Sequence, residues 1–249
     1  MPDIHIVAAD ALTGAAADFV ADRARRAIAE RGRFTFALAG GGTPKPVYER
    51  LATEPYLSGI DWRHVEIFFG DERCVAPDDP NSNWRMARMA LGHRLPIAEA
   101  NYHRMRGENS PDEAAASYEA MLASRFGGDP NDGPPMQGFD LVVLGMGDNG
   151  HTASLFPGLA AVTEQKRWVM AQYVEVAGMW RLTLTPVVIN AARCVLFLVA
   201  GAGKADMLAR VLDGPREPVV LPSQAIAPTA GELHWLLDTA AAARLRSAA

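Results

Sequence analysis

The feature that most constrains this chain is a short apolar run that empties into glycines. Phe139 to Leu144 leads directly into Gly145-Met-Gly147-Asp148-Asn149-Gly150-His151-Thr152. A run of that length, bounded by glycine, reads as a strand buried on both faces, and such strands belong in parallel sheets. The pattern recurs. Phe34 to Ala39 ends at Gly40-Gly41-Gly42-Thr43-Pro44, and Val65 to Phe69 ends at Gly70-Asp71-Glu72-Arg73.

Helical stretches lie between the runs. Ala15 to Glu30 is alanine-rich and stops near Gly32; Pro46 to Ala52 and Asn83 to Leu91 follow. Ser110-Pro111-Asp112-Glu113 has the form of a capping box and predicts a helix running to about Arg125. Thr185-Pro186 looks like a cap and first helical residue, and Lys204 to Leu212 is helical up to Gly214-Pro215. Further strands are expected at Ile4 to Val7, Trp168 to Glu175, Arg181 to Leu184, Cys194 to Ala200 and His234 to Leu237.

Alternation of this kind predicts an α/β fold: a doubly wound, mostly parallel sheet with helices on both faces. No repeat or linker divides the sequence, so residues 1–249 are expected to form a single domain. Sites in such sheets lie outside the carboxyl ends of the strands.

Composition narrows the function classes. Apolar residues make up 49% and charged residues 21%, as in an ordinary globular protein. The net charge of −5 and the lack of a basic run argue against a nucleic-acid partner. The two cysteines, Cys74 and Cys194, make no disulfide framework and point to a reducing, cytoplasmic setting. Met1 to Ile4 has no signal-peptide character, and the longest apolar run, Cys194 to Ala200, is too short to span a bilayer. No membrane association is expected.

Three clusters fall at strand ends. Gly40 to Pro44 offers backbone N–H groups, and Thr43 a hydroxyl, to an anion, although the same residues also suit a plain tight turn. Asp71-Glu72-Arg73, with Asn81-Ser82-Asn83 beyond it, can orient charges or pair with an oxyanion, or be a solvated charged turn. Gly145 to Thr152 matches G-x-G-x-x-G, but His151 stands where a packed helix should begin, so a dinucleotide site is not the leading reading.

Of the six histidines, His151 is the best candidate base, since an unperturbed imidazole titrates near pH ~6.5. Arg181 and Lys204 are further candidate cations for a phosphate. Gly201-Ala-Gly203-Lys204 is not a Walker A loop, and there is no G-x-S-x-G, H-E-x-x-H or C-x-x-C pair. A serine triad and a tetrahedral zinc site are therefore without support.

Together the clusters resemble the 6-phosphogluconolactonase family. The resemblance rests on Leu38 to Pro44, on Trp62 to Asn83, and above all on Gly150-His151-Thr152-Ala153-Ser154-Leu155-Phe156-Pro157. Arg181 to Thr185 and Gly203-Lys204-Ala205 fit the same order along nearly the whole chain. It implies a Rossmann-like fold and hydrolysis of a sugar-phosphate lactone, 6-phospho-D-glucono-1,5-lactone, with no metal and no cofactor. It also implies His151 as the catalytic imidazole.

From there, Asp71 and Arg73 are expected to assist His151, and Gly41, Gly42, Thr43, Arg181 and Lys204 to hold the phosphate. A monomer or weak homodimer is expected. A sugar-phosphate isomerase or deaminase is the alternative, but such deaminases continue toward Asn-Glu-Pro, where this chain has Leu155-Phe156-Pro157. A non-catalytic sugar-phosphate sensor is a further alternative. One departure concerns Asn149: many family members carry aspartate before the Gly-His pair, and an amide can only hydrogen-bond.

Overall fold

The computed structural model describes residues 2–92 and 94–246. The strands are β1 (Asp3–Val7), β2 (Phe34–Leu38), β3 (Val65–Phe69), β4 (Asp71–Arg73), β5 (Leu141–Leu144), β6 (Val169–Val174), β7 (Met179–Leu184), β8 (Cys194–Val199) and β9 (Glu232–Asp238). The helices are α1 (Leu12–Arg31), α2 (Lys45–Leu51), α3 (Tyr56–Gly59), α4 (Asn83–Leu91), α5 (Pro111–Phe126), α6 (Pro186–Ile189) and α7 (Ala205–Asp213).

Six strands make one sheet in the order β1-β9-β8-β5-β2-β3. Every pairing in it is parallel. All residues of β2, β3, β5 and β8 are buried, as the apolar runs require. The edge strand β1 is mostly exposed. Alanines on α1 (Ala16, Ala17, Ala21, Ala24 and Ala27) are buried, and their small side chains let the helix lie close to the sheet. Gly32 ends that helix with φ 73°, the left-handed cap that glycine adopts without steric cost. Phe197 and Trp235, register neighbours on β8 and β9, stack at 3.9 Å. The fold is α/β and Rossmann-like.

Three readings change. Of the two open for Asp71-Glu72-Arg73 the charged turn falls: the segment is β4, which pairs antiparallel with β7, and β7 with β6, in a separate three-stranded sheet. A short charged strand exists there because β7 supplies its partner groups, a tertiary effect that local propensity does not report. Ser110 holds the N-cap position of α5 but makes no side-chain cap bond, so the capping box does not form. Thr185 likewise leaves α6 uncapped and donates its hydroxyl to the Arg167 carbonyl at 2.6 Å.

The topology places the site. From β2 the chain runs outward to β3 on one side, whereas β5, β8 and β9 lie on the other. The order reverses between β2 and β5, and a crevice opens at the carboxyl ends of strands on either side of such a switch point. The loops after β2 and β5 are the two glycine-rich clusters.

Candidate active site

Ala39, Gly40 and Gly41 from the β2 loop and Gly145, Gly147, His151, Thr152 and Ala153 from the β5 loop line one pocket of about 170 Å³. Asp71 and Arg73 of β4 and Arg181 of β7 close it. The small second sheet thus forms the pocket's charged wall. Larger clefts exist, one of about 400 Å³ beside Trp84, Tyr102 and Arg104. There Arg104 is already paired with Glu108 and His103 with Glu66.

The β5 loop is shaped to present one imidazole. No α-helix follows it before β6, which removes the dinucleotide reading of its glycines. Gly147 N–H bonds the His151 carbonyl at 2.8 Å, and Gly150 N–H bonds the Gly147 carbonyl at 3.0 Å. A Cβ on Gly147 would fall 2.0 Å from the His151 ring, so only glycine leaves room for it. Gly150 sits at φ 77°. Phe156 stacks on the imidazole at 4.1 Å. Asn149 Oδ1 lies 2.6 Å from His151 Nδ1.

Burial lowers the His151 pKa to about 4; Asp71 pulls it up, while Arg181 and Lys204 push it down. The ring is therefore neutral at pH 7 and able to accept a proton.

Asp71 is buried and fully engaged. Its Oδ1 accepts from Asn83 Nδ2 at 3.0 Å and its Oδ2 from Ser154 Oγ at 2.7 Å. Arg181 Nη1 stands 3.8 Å from that second oxygen. None of its hydrogen bonds goes to the His151 ring, so it reaches that ring only through its charge. Glu72, on the opposite face of β4, accepts from the backbone nitrogens of Arg73, Asn83 and Trp84. It anchors the start of α4 and does not face the pocket lining.

Arg73 and Arg181 are direct register partners across β4 and β7. Like charges directly opposite one another repel. The Nε of each is buried without a hydrogen-bond partner, and burial depresses the Arg181 pKa. Arg73 has one bond, from Nη1 to the Asn81 carbonyl. An anion bound between two such guanidiniums relieves the repulsion and receives charge-assisted hydrogen bonds.

Of the other expected residues, Gly41 lines the pocket, whereas Gly42, which is exposed, Thr43, which is half-buried, and Lys204 are not among its lining residues. Lys204 Nζ is bonded to Asp148 on the histidine loop. Three contacts escaped the reading of spacing: Asn83 and Ser154 on Asp71, and Asn149 on His151. Each sits inside a quoted motif, but only the folded chain shows what its side chain touches.

A second group of potential ligand atoms, Cys194, Glu232 and His234, lies at the other end of the sheet. Arg23 already bonds Glu232 and comes within 3.2 Å of His234 Nε2, so an arginine supplies the positive charge that this cluster calls for. Among the described residues no helix is long and apolar enough to cross a membrane.

The model of the glucosamine-6-phosphate isomerases/6-phosphogluconolactonase family matches residues 8–235. The chain is 44% identical to the 6-phosphogluconolactonase of Synechocystis sp. over 91% of each chain. It is 42% identical to that of Nostoc sp. over 94% of each. The solved 6-phosphogluconolactonase of Trypanosoma brucei superimposes with a TM-score of 0.86 at 30% identity, over 98% of this chain and 99% of that one. A pocket at the switch point, a neutral imidazole and opposed arginines thus occur in a chain that belongs to the glucosamine-6-phosphate isomerase/6-phosphogluconolactonase family.

Proposed function

We propose that this chain hydrolyses 6-phospho-D-glucono-1,5-lactone to 6-phosphogluconate, with His151 as general base. The observation that carries the reading is the His151 imidazole in one pocket with two incompletely paired arginines. The names of the relatives support the substrate.

Chemistry follows from the geometry. Nε2 of His151 takes a proton from water as the water oxygen attacks the lactone carbonyl. The carbonyl electrons move to the oxygen, and Arg73 and loop N–H groups offer donors to that oxyanion. The intermediate collapses by breaking the bond to the ring oxygen, which leaves with the proton from the imidazolium. The product is the open-chain acid, which ionises at neutral pH, and His151 is neutral again. The β2 loop at Gly41, Gly42 and Thr43, with Arg181 and Lys204, holds the phosphate and so fixes the carbonyl's position.

Every residue in this scheme comes from one chain, so a monomer suffices and a weak homodimer is compatible. Both cysteines are free thiols, in keeping with the proposed cytoplasmic setting.

The test is a coupled assay at neutral pH. Glucose-6-phosphate dehydrogenase makes the lactone in place, and 6-phosphogluconate dehydrogenase reports its hydrolysis. Acceleration above the spontaneous rate is expected; a rate equal to background overturns the reading.

A further inference from the structure

Asn149 has neither charge nor reactivity, yet it touches the candidate base directly. Its Oδ1 lies 2.6 Å from His151 Nδ1 and 3.2 Å from the His151 backbone nitrogen. A backbone N–H can only donate, so the amide atom facing it is the oxygen. This settles which way round the amide lies, which coordinates alone leave to the hydrogen-bond network. The same oxygen has no proton to give, so Nδ1 must be the donor to it. In the neutral ring the lone pair is then on Nε2.

Packing and hydrogen bonding divide the work. Phe156 at 4.1 Å and the bare Gly147 fix the plane of the ring. Neither distinguishes the ring from its 180° flip, which only the bond to Asn149 does. Two backbone bonds close the loop, Gly147 N–H to the His151 carbonyl and Gly150 N–H to the Gly147 carbonyl, and the exposed Asn149 side chain adds the bond from the His151 N–H, which Asn149→Asp keeps and Asn149→Ala loses.

We propose that Asn149 is a positioning residue that selects the Nδ1–H tautomer of His151 and, being an amide, does so without placing a charge beside the ring. The kinetic half of this rests on the lactonase reading; the tautomer is a property of the free protein.

The charged groups around the ring are Asp71 on β4, Arg181 on β7, Lys204 before α7 and Asp148 on the same loop, and Arg73 of β4 lines the same pocket. These are two anions and three cations. Lys204 pairs with Asp148, and Arg181 faces Asp71. Burial is therefore the leading influence on the ring, and it favours the neutral form. A carboxylate in place of the amide would put an unmatched negative charge against Nδ1. It would strengthen the base and stabilise the imidazolium, but the ring would then be protonated at a higher pH. The amide gives up that gain and keeps Nε2 free over a wider pH range.

The experiment uses ¹⁵N-labelled free protein and long-range ¹⁵N–¹H correlation, followed across pH, for wild type, Asn149→Ala and Asn149→Asp. Wild-type His151 is expected to show the Nδ1–H pattern with a midpoint near 4, in line with its buried setting. Asn149→Asp should raise that midpoint by about 1–3 pH units. Asn149→Ala should populate the Nε2–H tautomer.

In turnover, Asn149→Ala should lose about 10²-fold in kcat with KM little changed, the cost of a misaligned reacting group. Asn149→Asp should recover kcat at alkaline pH, with its acid limb moved up by the same interval as the midpoint. The substrate's phosphate titrates near pH ~6 in every case, so differences between variants are what is read. An Asn149→Ala protein that keeps the wild-type tautomer and acid limb overturns the proposal. So does an Asn149→Asp protein whose midpoint matches wild type. If the ring behaves as expected but wild type does not hydrolyse the lactone, the tautomer assignment stands and the lactonase reading falls.

Discussion

His234 and His151 stand at opposite ends of the parallel sheet. Both ring nitrogens of His234 are engaged: Nε2 meets Glu232 at 2.8 Å and Arg23 at 3.2 Å, and Nδ1 meets His5 at 3.2 Å. Arg23 holds the Glu232 carboxyl down to about 2. His151 has one side-chain polar partner, Asn149, on Nδ1. The difference teaches where chemistry can happen. Around His234 the charges have found counter-charges, and this cluster ties β1, β9 and α1 together. At the carboxyl ends two arginines face one another and an imidazole keeps a free lone pair. That end holds the unpaired donors that the proposed anionic substrate would meet.

Exchanging or removing these residues tests the contrast. The largest effect is expected for His151→Ala, about 10²–10⁴-fold in turnover with an unchanged melting temperature. Near-wild-type turnover in the coupled assay would sink the assignment of the base. The corresponding His234→Ala change should leave kcat intact and lower stability instead, by about 1–3 kcal/mol for the lost buried polar contacts. Denaturant unfolding beside kinetics separates the two, and a fall in kcat for His234→Ala would erase the contrast.

Lys204→Ala comes next. It should mainly raise KM, by about tenfold or 1.4 kcal/mol, because it removes a binding interaction made throughout the reaction. An unchanged saturation curve would take Lys204 out of the phosphate site.

The smallest effect belongs to Arg23→Ala. Its partner Glu232 is half-exposed, so solvent screens the pair and about 1 kcal/mol or less is expected. Here the sign with pH is definite. The folded pKa of Glu232 lies below its ordinary value, so its contribution is complete above pH ~4.3 and is lost as pH falls toward 2. Urea titrations at pH 7 and pH 3 should show the Arg23→Ala penalty shrinking at the lower pH; a constant penalty would mean that the pair adds nothing.

Much of the main sheet was legible in the sequence. The runs at Phe34, Val65, Phe139 and Cys194 became β2, β3, β5 and β8 because strands buried on both faces are apolar throughout. The second sheet was not legible as one. Asp71 to Arg73 reads as a charged turn, and it becomes β4 only because Thr183, Leu182 and Arg181, more than a hundred positions away, pair with it. The capping box at Ser110 and Glu113 failed for the opposite reason: local chemistry favoured a bond that the folded helix start does not make.

For the site, the sequence by itself determined which residues would gather: glycine loops after buried strands, one imidazole, and a few arginines and carboxylates. These follow from backbone sterics and from the rule that loops at strand carboxyl ends share a crevice. Only the tertiary structure decided what each of them does. It turned Glu72 away to anchor α4, set Arg73 against Arg181, bound Asp71 to Asn83 and Ser154, and laid Asn149 against Nδ1. Side-chain partnership depends on distances of a few ångströms between segments far apart in the chain, and a linear pattern carries no measure of those distances.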